Sequence, residues 1–243
     1  MTTSSTMQAK IIIASVLILI LSTTIYSTYA VSSGSSSKAV IFNNVIGGGG
    51  VDQNRVFKQL PSALLSGGWT ADFDYKFTAS SIPAFLIFDL TTTSDDPQVL
   101  PSANRILIEH GNGIDQLFIT SSGGFDTAGI PISPNVQYYV RLDRTPNQLT
   151  LSVFSDPART IQIPGSPVFF VISPTDFNNL NFIQHDGCTL CGPARTLTAE
   201  IDNMKISVID SKGHQHMFFD DNYSTSKGWT QIGTLITVAG NGP

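Results

Sequence analysis

The sequence predicts an all-β protein, a two-sheet antiparallel sandwich of jelly-roll type, preceded by one N-terminal hydrophobic helix. Three observations predict it. From Ala39 onward apolar residues recur with the period of two that a half-buried strand requires. Roughly ten to twelve such runs follow one another, separated by Gly, Pro, Asn and Ser. After residue 38 no stretch carries the spacing of an amphipathic helix, although "SPTDFNNLN" around Thr175 suits a short helical turn.

The first segment differs from the rest. Met1 to Lys10 is polar with one positive charge, Ile11 to Leu21 is an apolar block, and a Ser/Thr-rich exit ends on Ala30. That order is the order of a signal peptide. The block falls short of the roughly 20 apolar residues that span a bilayer. Residues 1–30 are therefore read as a signal peptide or a retained N-terminal anchor. Residues 31–38, "VSSGSSSK", form a Ser-rich linker unable to build a core.

The strands follow in order. In "WTADFDYKFTA" the side chains of Trp69, Ala71, Phe73, Tyr75 and Phe77 share one face, and Asp72, Asp74, Lys76 and Thr78 share the other. "AFLIFDLT", Ala84 to Thr91, is a denser apolar run and suits a strand more covered on both sides. "NRILIEHG" and "DQLFITSSGG" flank Gly111-Asn112-Gly113, a hairpin turn signal. "VQYYVRLDR" and "QLTLSVFSD" flank Pro146-Asn147 in the same way. "PVFFVIS" and "LTAEIDNMKISVID" complete the set.

Composition narrows the function. Charged residues make up 13% of the 243-residue chain, against about a quarter in an ordinary soluble domain. The polar surface must come mainly from Ser, Thr, Asn and Gln. The net charge is −5, with no cluster of Lys and Arg, so no nucleic-acid partner is expected.

"GGWTADFDYKFTASSIPA", "NVQYYVRLDRTPNQLTLSVFSD" and "RTLTAEIDNMKIS" resemble concanavalin A-like, laminin-G-like domains, especially copies repeated in secreted or surface proteins of archaea. The resemblance covers residues 39–209, taken as the sandwich domain. Residues 210–243 are a separate C-terminal strand segment. In such domains a stretch like "FFDD…GWTQ" precedes the first block, whereas here it follows Ile209. Three readings stand: the start of a truncated second copy, a permuted edge strand that folds back, or a strand donated to a neighbouring molecule, which would make a strand-exchange oligomer.

The resemblance also directs attention to particular side chains. Related folds carry an E-x-D-x-x-E strand motif for glycoside hydrolysis. Here Glu200 and Asp202 fit, but Lys205 stands where the second Glu belongs, and a lysine cannot act as that carboxylic acid. No catalytic residue is assigned. Glu109 and His110 are adjacent and so point to opposite faces. Cys188 and Cys191 in "HDGCTLCGP" are read as a small loop disulfide in an exported chain. The alternatives are a metal site with His185, joined by His214 and His216 only if the tail returns, or a reduced pair. The assigned metal ligands are none, and calcium, common in the fold class, finds no ordered acidic loop at Asp95-Asp96 or Asp220-Asp221. Asn222 opens a glycosylation sequon with Ser224. Phe85 and Phe125 are the aromatic candidates for exposure on loops where a sugar could stack, with core packing the preferred reading for each.

The expectation is an exported, non-catalytic binding or adhesion module, secreted or at the cell surface, with a glycan or surface protein as partner. Membrane contact would run only through an uncleaved N-terminal segment. The alternatives are a polysaccharide hydrolase or lyase, and a truncated fragment of a larger surface protein.

Overall fold

The computed structural model describes residues 39–47, 54–65, 67–81, 85–97, 100–101, 104–111, 113–120, 127–187 and 195–238. Residues 1–38, where the signal peptide or anchor, the hydrophobic helix and the linker are expected, lie outside them. Among the described residues there is no helix, and two antiparallel sheets make a sandwich.

The first sheet runs, edge to edge, β10 (Val168–Val171), β9 (Gln148–Phe154), β8 (Tyr138–Thr145), β3 (Trp69–Ser80), β12 (Arg195–Ile209), β1 (Val40–Gly47) and β15 (Ile236–Val238). Strand β13 (Gln215–Asp221) also pairs with β12. The second sheet runs β14 (Thr230–Ile232), β2 (Arg55–Leu64), β11 (Leu180–Asp186), β4 (Phe85–Thr91), β5 (Arg105–His110), β6 (Gln116–Thr120) and β7 (Ile130–Pro131). Both predicted hairpins form, β5 with β6 and β8 with β9.

Side-chain alternation decides what lies between the sheets. Trp69, Ala71, Phe73, Tyr75 and Phe77 of β3 are all buried, and every residue of β4 is buried. Phe73 stacks on Phe88 of the opposite sheet with ring centroids 5.0 Å apart. Each such ring contributes about 2–3 kcal/mol through apolar burial. Phe85 follows the core-packing reading: it is fully buried as the first residue of β4. The "SPTDFNNLN" segment holds turns and no helix. Phe177 and Asn179 both take positive φ, 53° and 63°, which interrupts any helical repeat.

Strand β12 organises the first sheet. One of its edges pairs with β1 over Arg195–Ile201 and then with β13 over Met204–Ile209. The other edge pairs with β3 from Leu197 to Val208. The change of partner falls at a bulge. Asp202 lies opposite Asp74, and Lys205 lies opposite Asp72, so β12 spends one more residue than β3 across this interval. Asn203 takes φ 54° there, a left-handed conformation that Asn tolerates better than most residues.

The segment after Ile209 packs into the same sandwich. β13 adds to the first sheet, β14 lies along β2 at the edge of the second, and β15 returns to pair with β1, Val40 opposite Val238 and Phe42 opposite Ile236. Polar anchors hold the crossing between sheets. Lys58 Nζ and Trp229 Nε1 both donate to Asp221 Oδ2, at 2.7 and 3.0 Å. The buried Tyr223 hydroxyl lies 2.9 Å from His185 Nε2, and His185 Nδ1 lies 2.8 Å from the Ile87 carbonyl. A carbonyl only accepts, so Nδ1 carries the proton and Nε2 accepts from Tyr223.

Candidate functional site

The outward face of β3, β8 and β12 carries the densest polar constellation described. Because Phe73 and Tyr75 turn inward, Asp72 and Asp74 turn outward. The same alternation on β8 presents Tyr139 and Arg141. On β12 the bulge does the equivalent work. Ile201, Met204 and Ile206 are buried, so Glu200, Asp202 and Lys205 all face out in spite of their uneven spacing.

Cross-strand register arranges these side chains in two rows. One row is Tyr139, Asp74 and Asp202, and the next is Arg141, Asp72 and Lys205. Arg141 grips Asp72 through two bonds of 2.8 and 2.9 Å, a fork matched to a carboxylate. Arg159 comes from the loop after β9 and lies over both rows. Its Nη2 donates to Asp74 Oδ1 at 3.0 Å, its Nε lies 3.3 Å from Asp72 Oδ1, and its guanidinium carbon sits 5.8 Å from the centre of the Tyr139 ring. The Asp156 carboxylate holds that loop in place by accepting from Thr160 N and Ile161 N. Asn203, placed by the bulge, donates to Asp74 Oδ2 at 2.8 Å.

These groups line a cleft of about 230 Å³ bounded by Asp72, Asp74, Tyr139, Pro157, Arg159, Asn203 and Lys205. Burial pushes the Asp74 carboxyl above its ordinary value, although the bonds from Asn203 and Arg159 pull the other way. Burial also raises the Tyr139 hydroxyl. At the margin of the face Asp143 is raised by burial too, against the pull of the Thr70 hydroxyl, which donates to it at 2.6 Å. The cleft thus offers fixed donors, fixed acceptors and one aromatic ring.

The other sequence candidates fall elsewhere. Glu109 and His110 point apart as alternation requires. His110 is buried, its Nδ1 2.6 Å from the Tyr75 hydroxyl and its Nε2 3.0 Å from Asp115 Oδ1, and burial holds its pKa below the ordinary value. His185 has both ring nitrogens engaged inside the core, so the metal set with Cys188 and Cys191 loses its histidine. Cys188, Cys191 and Phe125 lie outside the described residues. Asp221 is committed to Lys58 and Trp229, Asp220 lies 3.7 Å from Lys205, and Asp95 accepts from the Thr93 hydroxyl. Asn222 is exposed, and its side-chain oxygen accepts from Ser224 N at 3.1 Å.

The sequence assigned no residue to a ligand site: it set Asp72 and Asp74 on an outward strand face and singled out neither Tyr139, Arg159 nor Asn203 for the cleft. For Asn203 a signal existed. The buried apolar positions run Leu197, Ala199, Ile201 and then Met204, Ile206, a slip from odd to even that marks a bulge at Asp202-Asn203. For Arg159, on a loop distant in sequence from Asp72 and Asp74, no local pattern pointed to the site.

No protein-family model and no curated protein matches this sequence. Solved structures similar to it include the mouse laminin α1 chain domains LG4-5, at 10% identity over 81% of this chain and 46% of that one, TM-score 0.41. The exoplasmic/lumenal domain of VIP36 in its Ca2+/Man3GlcNAc-bound form is 7% identical over 68% of this chain and 78% of that one, TM-score 0.41. The alginate lyase AlgAT5 of polysaccharide lyase family 7 is 14% identical over 58% of this chain, TM-score 0.36, and the match spans 59% of the lyase. Laminin-G, lectin and lyase structures thus stand side by side among the similar folds. At these identities and TM-scores they carry nothing about ligand or activity.

Proposed function

We propose that this chain is an exported, non-catalytic binding module whose outer sheet face takes a glycan in the cleft between Asp74, Tyr139 and Arg159. One observation carries the reading. The cleft's carboxylates are already engaged before any ligand arrives: Asp72 lies between Arg141 and Arg159, and Asp74 accepts from Arg159 and Asn203. Such a surface presents rigid dipoles and a ring to hydroxyl groups, and carboxylates already held by Arg141 and Arg159 offer little to a strongly ionic ligand. It suits polyhydroxylated, weakly charged material, whose hydroxyls both donate and accept. Export rests on the order of residues 1–30.

The binding test is affinity electrophoresis of the chain through gels holding neutral and acidic polysaccharides. Retardation by at least one polysaccharide, lost in Tyr139→Ala and in Arg159→Ala at unchanged melting temperature, is the expected result. Retardation that persists in both variants would place the site elsewhere.

A second reading has its own observation. Asp74 has a raised carboxyl and lies directly across from Asp202. Opposite residues on neighbouring strands hold their Cβ atoms roughly 4.5–5.5 Å apart, so the two carboxyls share one face as neighbours. Against it, both Asp74 oxygens are already occupied. Release of reducing ends or unsaturated sugars from the retarding polysaccharide, abolished by Asp74→Asn, would move the conclusion to this enzyme.

A further inference from the structure

The connection between β12 and β13 reads Asp210-Ser211-Lys212-Gly213-His214-Gln215-His216. Gly213 takes φ 83°, a left-handed conformation in which glycine is unstrained, and the chain reverses there. Gly213 N donates to the Asp210 carbonyl and Asp210 N to the His214 carbonyl, both at 2.9 Å, so Asp210 and His214 face each other across the hairpin. His216 lies two residues further along, on the same side.

The Asp210 carboxylate is oriented by its own backbone. Its Oδ1 accepts from Lys212 N and His214 N, both at 2.8 Å. Its Oδ2 is turned toward both imidazoles, 3.0 Å from His216 Nε2 and 3.4 Å from His214 Nδ1. One atom from each side chain can be chosen so that all three lie within 4.8 Å of one another. A tetrahedral metal with bonds of about 2.0–2.1 Å sets its ligand atoms roughly 3.3–3.4 Å apart, so a small closure of the cluster suffices. The His214 and His216 side chains are 69% and 59% exposed, which leaves the remaining coordination positions open to solvent.

We propose that Asp210, His214 and His216 form a site for a borderline divalent metal ion, of the class of Zn2+, Co2+, Ni2+ or Cu2+. Two imidazoles select these ions over Ca2+ and Mg2+, which favour all-oxygen sets. The carboxylate supplies the charge, and the two backbone amides on Oδ1 supply the outer support that orients a ligand. The site is separate from the cleft. Lys205, at the cleft edge, precedes Asp210 by five residues, roughly 17 Å along an extended strand. The buried histidines do not compete, because His110 and His185 each have both ring nitrogens engaged. An exposed three-ligand site also leaves room for a ligand from another molecule, so the bound ion could join this hairpin to a partner side chain.

The experiment uses the untagged full chain. Equilibrium dialysis against Zn2+ is expected to give one ion per chain, with no competition from an excess of Ca2+ or Mg2+. The paired substitution His214→Ala/His216→Ala, and Asp210→Asn separately, should each weaken binding by more than about tenfold. Cys188→Ser/Cys191→Ser should bind as the parent does. A wild-type readout runs beside the variants: Zn2+, and not Ca2+, should protect His214 and His216 from acylation by diethyl pyrocarbonate. Absence of saturable Zn2+ binding, binding that survives the paired histidine substitution, binding lost with the cysteines, or failure of Zn2+ to protect would each overturn the proposal.

Discussion

Acid should weaken this fold through His185, and the size of the effect follows from the geometry. The imidazole is fully buried, donates from Nδ1 to the Ile87 carbonyl, and accepts at Nε2 from the Tyr223 hydroxyl. Both partners suit the neutral ring, and burial penalises the charged one. The pKa is accordingly lowered from 6.5 to about 4. In the unfolded chain the ring regains its ordinary value, so between pH 6.5 and pH 4 the unfolded state binds the proton and the folded state does not. Unfolding therefore takes up a proton in this window, and stability falls as pH falls. It is unaffected by this group above pH 6.5, and the loss is complete below about pH 4. At about 1.4 kcal/mol per pH unit, the interval amounts to about 3 kcal/mol. The assay is urea unfolding followed by tryptophan fluorescence at steps between pH 7.5 and pH 4, for the parent chain and for His185→Gln. Glutamine can donate to Ile87 and accept from Tyr223 without titrating. His110 and the carboxylates are common to both proteins and cancel in the difference. The parent should lose about 3 kcal/mol more than the variant across the window. Parallel curves would refute the placement of a neutral His185 in the core.

Three other outcomes are expected. Trp69→Ala, at a side chain 1% exposed, should cost about 3–5 kcal/mol of stability, read from denaturant midpoints at constant slope; an unchanged midpoint would remove Trp69 from the core. Ending the chain after Trp229 removes β14 and β15, uncovers the β1 edge and deletes the buried Ile236 and Val238, worth roughly 3–6 kcal/mol together. The shortened protein should melt lower and self-associate in sedimentation velocity, and a monomer of equal stability would count against β15 as the covering strand. Asn203→Gly keeps the left-handed backbone and removes the donor on Asp74 Oδ2, so the Asp74 pKa should rise further, as read from carboxyl chemical shifts; a fall or no change would break the bond assigned between them.

Particular residues show how far the sequence could be read. In β3 the period of two sorted Phe73 and Tyr75 inward and Asp72 and Asp74 outward, because alternation is a local property of extended backbone. In β4 the dense apolar run matched burial on both faces, and Asp89 within it is buried as well. Phe85, close to Pro83, leaves a loop open as the lesser reading, and the strand that begins at Phe85 itself takes it into the core, the preferred one. The outward position of Lys205 was equally hidden, since strict alternation from Asp202 would turn it inward and only the bulge at Asn203 restores it. The pairing of Tyr75 with His110 and of Tyr223 with His185 joins strands far apart in sequence, so neither half announces the other.

By itself the sequence determined the class of the fold and the side of β3 that would be dry. Those are properties of neighbouring residues, written in spacing and composition. Only the tertiary structure decided that β15 lies beside β1, that Arg159 reaches over Asp72 and Asp74, and that Asp210 meets His214 and His216 across a turn. The reason is physical. Strand register and loop closure are set by the summed packing of two sheets, and a pattern within one segment does not contain the identity of the segment it will face.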